Sequence, residues 1–346
     1  MVMELRQVQQ SAGAIFNEAG VAVDFNNQDQ VYEAINHGVA IGDRSGWGLL
    51  KITGEDRLRY LHNQSTNDFE KLRPGQGCDT VFVTSTARTL DLATAYVTED
   101  AVLLVVSPSR RQQLLSWLDR FIFPFDKVEL SDISAEDAVF SLLGSQSSSL
   151  LSKLASDTIS LANLAEHQLV TIADIPVRVA MGSGLATPGY TLILPRDRAG
   201  TVWTKLTDIG AIPFGDRLWE SLRIQQGRPV PNHELTEDYN PLEAGLWQTI
   251  SFDKGCYIGQ ETIARLNTYN GVKQKLWGIK LSQPVAPQTP IILKDSKVGV
   301  LTSCTNTEAG YYGLGYIRTK AGGVGLQVKV GDAQGEVVSV PFIRHK

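Results

Sequence analysis

The sequence predicts an α+β protein: two successive α+β units followed by a small β-barrel or sandwich. Residues 51–134 read as helix, strands, helix and strand, a pattern typical of a compact ferredoxin-like unit with an antiparallel sheet. A second α+β stretch follows, up to about residue 274. From residue 275 onward, short β-type runs alternate with glycine, proline and asparagine, which favours a small all-β domain.

Hydrophobic periodicity places the individual elements. Thr53 is expected to cap a helix, with Asp56 at the capping-box position. Pro108 is expected in the first turn of an amphipathic helix that carries Leu114 and Leu118 on its apolar stripe. Further helices are predicted at 28–37, 197–209, 215–226 and 261–266. Strands are predicted at 46–52, 80–84, 89–97, 101–106, 127–130, 138–143, 168–172, 176–180, 190–194, 275–281, 291–293, 297–303, 313–317, 327–330 and 336–341.

Charge and cysteine content argue against several classes of protein. The 346 residues carry a formal net charge of -5, whereas proteins that coat nucleic acid carry a basic excess. We therefore expect no direct nucleic-acid binding. The three cysteines, an odd number without a CxxC pair, indicate neither a disulfide framework nor a zinc site built by local spacing. We expect no resident metal, and we expect Cys78 and Cys304 in the core because they lie in or beside strands.

The N-terminal residues and the hydropathy predict a cytoplasmic protein. No apolar segment of a secretory signal follows Met1. The longest apolar run, residues 101–106, is far shorter than the ~20 residues that span a bilayer. We therefore expect no membrane association.

The segment most suggestive of chemistry is residues 252–259, here called the cysteine loop. Gly255 and Gly259 bracket Cys256, which predicts a tight loop, and a helix is expected directly after it. A helix N-terminus and the nearby ammonium of Lys254 both favour thiolate over thiol, the form that attacks electrophiles or binds metal. The alternative is a small buried apolar residue, a common role of free cysteine.

Charged residues around the loop indicate a second possible function. Residues 254–280 contain five basic side chains against Glu261 alone, a local excess of +4 that suits a polyglutamate tail, a phosphate or an RNA backbone. Upstream, the carboxylates of Glu234 and Glu243 could accept hydrogen bonds from an aminopterin ring. The alternatives are a solvated basic face and two solvated loop carboxylates. His62, beside Leu58 and Leu61, is expected to be a core histidine.

The octapeptide KGCYIGQE, residues 254–261, resembles the K-G-C-[FY]-x-G-Q-E motif of the YgfZ family of folate-binding proteins. Arg265 and the preceding Pro241-Leu242-Glu243 also fit that family. The resemblance implies a folate-dependent role in maturation or repair of iron-sulfur clusters, chiefly 4Fe-4S. It also implies an indirect link to tRNA modification.

A weaker likeness extends to the T-protein of glycine cleavage, an aminomethyltransferase. Residues 86–91 resemble its G-G-x-[IV]-D-D turn, and residues 189–192 resemble its G-[FY]-E-[IL] strand. The likeness implies two α+β units around a central channel that holds tetrahydrofolate, plus a C-terminal β-barrel. It implies a folate-binding domain at 1–50 and 135–274, a ferredoxin-like domain at 51–134 and a barrel domain at 275–346. Folate contacts are expected from Asp91, Tyr190, Glu243, Gln260 and Arg265.

Two departures from the T-protein pattern decide between functions. Leu92 stands where that family has its catalytic aspartate, and Thr191 stands where it has the glutamate that grips the pterin. Leucine cannot relay a proton. We therefore expect an accessory protein for iron-sulfur enzymes rather than a classical aminomethyltransferase. Cys256 would be its working thiol, in transient contact with a cluster, an assembly protein or a client enzyme, and Lys254 the activator of that thiol.

Two alternatives remain open. One is a folate-dependent one-carbon (aminomethyl) transferase that uses Asp91, the carboxylate next to Leu92. The other is a non-catalytic scaffold in which Cys256 only packs.

Overall fold

The computed structural model describes residues 4–269, 271–307 and 309–345. By internal contacts the chain divides into two compact units. The first unit comprises Met1–Arg57, Lys71–Cys78 and Thr94–Trp219. The second unit comprises Leu58–Glu70, Asp79–Ala93 and Glu220–Lys346. The three domain boundaries expected from the sequence stay a prediction.

The helices are α1 (Leu5–Ser11), α2 (Gln28–His37), α3 (Arg57–Gln64), α4 (Arg111–Asp119), α5 (Ser147–Leu154), α6 (Ala199–Asp208), α7 (Asp216–Gln226) and α8 (Gln260–Thr268). Single 3₁₀ turns span Pro108–Arg110, Arg196–Arg198, Trp247–Thr249 and Thr319–Ala321.

The strands are β1 (Ile15–Phe16), β2 (Ala22–Asp24), β3 (Ala40–Asp43), β4 (Gly48–Thr53), β5 (Gly77–Val83), β6 (Thr89–Val97), β7 (Ala101–Val106), β8 (Glu129–Asp132), β9 (Asp137–Leu143), β10 (His167–Ile172), β11 (Ile175–Met181), β12 (Gly189–Pro195), β13 (Ile212–Phe214), β14 (Gln274–Leu281), β15 (Pro290–Leu293), β16 (Ser296–Thr307), β17 (Gly310–Arg318), β18 (Gln327–Val330) and β19 (Ala333–Val338).

One sheet of the first unit has the order β10-β11-β12-β9-β3-β13. Its pairings are antiparallel except that of β13 with β3. Tyr190, Leu192 and Leu194 alternate along β12 and enter the core, as side chains two residues apart share a face. Trp203 of α6 is fully buried in the same core, with its ring edge-on to Phe140 at 5.2 Å.

A second sheet has the order β5-β6-β7-β4-β8, and residues 79–83 of β5 and 89–93 of β6 are counted with the second unit. The predicted antiparallel pairing is confirmed for β6 with β7, β7 with β4, and β4 with β8. Every residue of β7 is buried, which explains its unbroken apolar sequence.

The C-terminal residues of the second unit form a closed barrel in the order β14-β17-β16-β15-β18-β19. Closure comes from β14, which pairs with both β17 and β19. The barrel core includes Ile279, Ile291 and Val337, each fully buried. The predicted fold class is therefore confirmed: mixed α/β sheets followed by a C-terminal β-barrel.

The prediction that Thr53 caps a helix is wrong. Thr53 is the last residue of β4, where it pairs with Ala101 and Glu129, and α3 begins four residues later. Between them Gly54 has φ +99, and a side chain there would meet the Lys127 carbonyl oxygen at 1.9 Å. The chain thus needs a glycine turn before it can enter the helix.

Candidate functional site

The cysteine loop lies in the second unit, between a 3₁₀ turn and α8. Gly259 precedes α8 with φ +82. A Cβ atom there would lie 2.8 Å from the Thr84 carbonyl oxygen and 3.0 Å from Val83 Cγ2. Position 259 therefore requires a glycine for two reasons: its positive φ and the close approach of the turn at residues 84–88.

Lys254 anchors the loop. Its side chain is buried, and its ammonium donates hydrogen bonds to the carbonyl oxygens of Ser65 at 2.8 Å, Asn67 at 2.6 Å and His62. The ring of Tyr257 lies 4.6 Å from the same nitrogen. Three acceptors match the three hydrogens of an ammonium. The predicted role of Lys254 as activator of the thiol, through the charge of its ammonium, stays a prediction.

Cys256 is exposed between two attachment points. Lys254 holds one end of the segment, and the backbone N–H of Ile258 donates to the Asn63 carbonyl oxygen at 3.0 Å on the other side. Both ends are therefore bound to the C-terminal part of α3 and the residues after it. Cys78 and Cys304 are half-buried, and Cys304 packs against the barrel core.

His62, in the last turn of α3, is buried as predicted. Its Nδ1 lies 3.2 Å from Asp68 Oδ1 and 4.0 Å from Glu70 Oε2. Burial, followed by the charge of Lys254, lowers the pKa of His62, while Glu70 and Asp68 partly oppose that shift. The ring also faces the cysteine loop, because a Cβ atom at Gly255 would lie 3.5 Å from its Nε2. No local feature of the sequence predicts that contact.

The turn before β6 is tightly held. The N–H of Thr84 donates to the Arg88 carbonyl oxygen at 2.9 Å, and the N–H of Arg88 donates to the Thr84 hydroxyl at 3.1 Å. In β6, Asp91 is fully buried and carries a polar contact. Its neighbour Leu92 is buried in an apolar cluster with Val81 and other residues. Successive residues of a strand face opposite sides, so the carboxylate points away from that cluster.

Glu243 and Glu234 are both buried, so the alternative of two solvated loop carboxylates is wrong. The Asn240 side-chain oxygen accepts hydrogen bonds from the N–H groups of Leu242 and Glu243, each at 3.0 Å. In return, the N–H of Asn240 donates to the Glu243 carboxylate at 3.1 Å. This is a capping box, with Pro241 at the first position of a single helical turn. Burial, the largest effect, raises the pKa of Glu243.

The remaining residues predicted to contact folate belong to different units. Gln260 is half-buried at the start of α8, and Arg265 and Lys273 are exposed in the second unit. Tyr190 lies in the core of the first unit, which favours a packing role. Thr191 donates its hydroxyl hydrogen to the Gly182 carbonyl oxygen at 2.8 Å.

Residues 4–269, 271–307 and 309–345 contain neither a cluster of metal-ligating side chains nor a membrane-spanning helix. No three histidine, cysteine, aspartate or glutamate side chains in that range are grouped to hold a metal ion. In the same range no helix is long and apolar enough to cross a membrane.

Comparison with known proteins identifies the family. The GCVT N-terminal domain family matches residues 6–254, well over half of the chain. The chain belongs to this family.

Two proteins are similar to this chain in sequence, and a third is similar in fold. It is 44% identical over 335 residues to a chloroplastic protein of Arabidopsis thaliana that is provisionally named a transferase, covering 96% of this chain and 78% of the relative. It is 26% identical to the aminomethyltransferase of Halalkalibacterium halodurans, covering 97% of this chain and 96% of that one. The glycine cleavage aminomethyltransferase T of Bartonella henselae has the same fold, with a TM-score of 0.85, 19% identity and coverage of 100% and 99%.

Proposed function

We propose that this protein belongs to the YgfZ branch of the family and is a tetrahydrofolate-binding accessory protein for iron-sulfur enzymes. Its role would be maturation or repair of 4Fe-4S clusters, with an indirect effect on tRNA modification. One observation carries the proposal: the cysteine loop presents an exposed Cys256 and is attached on both sides of it. Leu92, which the T-protein likeness aligns with a catalytic aspartate, lies in an apolar cluster, and this supports the accessory role.

The thiol suits transient contact with a soft metal or a sulfur donor. A thiolate is a favoured ligand of iron-sulfur clusters. Cys256 supplies one such ligand, so an assembly protein or a client enzyme would supply the others. Because the loop is bound to α3 on both sides of Cys256, the thiol is presented in one place.

The residues of this chain suit the glutamate tail of a folate better than its pterin ring. Exposed Arg265 and Lys273 suit the anionic glutamate tail of a folate. The pterin grip expected from the T-protein likeness has no carboxylate at Thr191, and Glu243 already serves its capping box. Bound tetrahydrofolate would supply a one-carbon carrier. The residues of this chain supply charge for its tail, and we derive no transfer step from them.

Two measurements test the proposal. Calorimetric titration should show tetrahydrofolate binding by the wild type and by Cys256→Ala alike. Tri-glutamyl folate should bind more weakly to an Arg265→Ala, Lys273→Ala variant, with Lys329→Ala, an exposed barrel lysine, as the matched control. Absence of binding by the wild type would remove the folate claim.

The thiol is tested separately in a strain that lacks the gene. The wild type should restore the activity of a 4Fe-4S enzyme, Cys256→Ala should not, and the half-buried Cys78→Ala should. Full rescue by Cys256→Ala would overturn the role of the thiol. The same strain, with a fluorescent fusion, tests the cytoplasmic location.

A one-carbon transferase remains the second candidate, because the chain aligns nearly end to end with aminomethyltransferases and keeps a buried Asp91 beside Leu92. Release of formaldehyde or methylene-folate would be measured with several amine donors. Robust turnover that is lost in Asp91→Asn would favour this function over the accessory role. If neither function is found and Cys256 is labelled no faster than a model thiol, the scaffold reading gains support.

A further inference from the structure

The turn between α4 and β8, in the first unit, carries two exposed phenylalanines. Phe125 is 94% exposed and Phe123 is 66% exposed. The turn is nonetheless fixed, because the N–H of Phe123 donates to the Asp126 carboxylate and the N–H of Asp126 donates to the Phe123 carbonyl oxygen, each at 2.9 Å. Aromatic side chains that an ordered turn holds in water expose apolar surface, and such surface favours contact with another molecule.

The strand that follows this turn is the open edge of its sheet. In the part of the chain that the structure describes, β8 is the last strand of the order β5-β6-β7-β4-β8 and pairs with β4 alone. Ile133, directly after β8, donates its N–H to the Leu49 carbonyl oxygen of β4 at 2.9 Å. Because hydrogen bonding alternates along an antiparallel strand, Leu130 and Asp132 direct their backbone groups away from β4. These groups form a template for one further strand.

The charges of this region decide between possible partners. Residues 119–132 carry four acidic and two basic side chains, a net charge of -2. The ion-pair partners outside this segment, Glu55 and Arg111, cancel each other. A second copy that paired two-fold along β8 would set Glu129 opposite Asp132 twice, and like charges in facing positions destabilise a sheet. An anionic membrane surface would be repelled by the net charge. The complementary partner is therefore basic.

We propose that β8 and the turn before it bind an extended segment of another protein, one that carries basic and apolar residues. The segment adds to the five-stranded sheet as a sixth strand and forms hydrogen bonds with the backbone of Leu130 and Asp132. Its basic side chains lie near the exposed Glu129, and its apolar side chains cover Phe123 and Phe125. The surface belongs to the first unit, so this proposal does not depend on the function of the cysteine loop.

Fluorescence anisotropy of two labelled synthetic peptides, titrated with the full-length protein, tests the proposal. A peptide of alternating lysine and valine should bind, whereas a peptide of alternating glutamate and valine should not. A fully N-methylated copy of the lysine peptide should also fail to bind, because it cannot donate backbone hydrogen bonds. Glu129→Lys and Phe125→Ser should each weaken binding of the lysine peptide about fivefold. Leu164→Ser, which removes another exposed apolar side chain of the first unit, is the matched control and should change nothing.

The proposal is overturned if the wild type does not bind the lysine peptide, if it binds both peptides equally, or if Glu129→Lys and Phe125→Ser leave binding unchanged. Both variants alter exposed side chains, which seldom affects folding, and circular dichroism checks this. Sedimentation velocity and flotation with phosphatidylcholine vesicles test two other partners. Dimerisation or vesicle binding that is lost in Phe125→Ser would assign the surface to a second copy or to a membrane, and either result would also overturn the proposal.

Discussion

The substitution Gly259→Ala tests how the cysteine loop is fixed against the turn at residues 84–88. The new methyl group would lie 2.8 Å from the Thr84 carbonyl oxygen, 3.0 Å from Val83 Cγ2 and 3.1 Å from Ala87 Cα. An alanine at φ +82 is strained by about 1 kcal/mol. The overlap can be relieved only by a backbone shift of the turn or of α8, and this shift costs about 1–3 kcal/mol more. We expect the free energy of unfolding to fall by about 2–4 kcal/mol.

Gly325→Ala separates crowding from dihedral strain. Gly325 is also in the second unit and has φ +86, but a methyl group there meets nothing within 4 Å. It should therefore show only the strain, about 1 kcal/mol. Urea unfolding would compare the two variants, and hydrogen exchange at the Ile258 amide, which is bound to the Asn63 carbonyl, would locate the damage. Equal losses in both variants would refute the close approach.

Three further outcomes are expected. Glu234→Ala should lower the free energy of unfolding by about 3–5 kcal/mol because it removes a fully buried carboxylate 2.8 Å from Arg223. Glu220→Ala, which removes the half-exposed partner of the same arginine, should lower it by about 1 kcal/mol or less. Urea titration of both variants checks this, and similar losses in the two would contradict it. Lys254→Met should lower the free energy of unfolding by about 2–4 kcal/mol, because three backbone carbonyls lose their hydrogen-bond donor. Protease should also cleave the cysteine loop of this variant faster. A stable variant with a protease-resistant loop would show that the Lys254 hydrogen bonds are not needed to hold the loop. Burial, the largest effect, lowers the pKa of His167 from 6.5 to about 4. As the pH falls, the unfolded chain therefore binds this proton before the folded chain does, and stability should be lost between about pH 6.5 and 4. In His167→Gln the free energy of unfolding, measured by urea titration at several pH values, should depend less on pH in that range, and an unchanged slope would contradict this.

Periodicity predicted much of the fold because burial leaves a local mark in the sequence. The six buried residues of β7 could hardly read as anything but a strand. Helix α5 was not predicted, since its serines favour caps and turns and few of its side chains, Leu150, Leu151 and the partly buried Leu154, pack in the core of the first unit. Gly54 is the physical reason that α3 starts late, and nothing within four residues of it announces the Lys127 carbonyl that it must pass.

The candidate site shows the same division between local and distant causes. The capping box of Asn240 and Glu243 can be predicted from the spacing of the two residues, with Pro241 between them. The partners of Lys254 were not readable. They lie 187 to 192 positions away along the chain and are backbone carbonyls, which any residue provides.

Leu92 sets a limit on how the protein can change. It is 1% exposed among Val81, Ile224, Leu235 and other apolar side chains. An aspartate at position 92 would be buried in that cluster either protonated or as an unsolvated charge, and its burial would cost several kcal/mol of stability. A carboxylate that is to be charged at position 92 would thus require polar replacements among the surrounding side chains first. The substitution Leu92→Asp alone would lower the stability of the second unit without providing a solvated carboxylate.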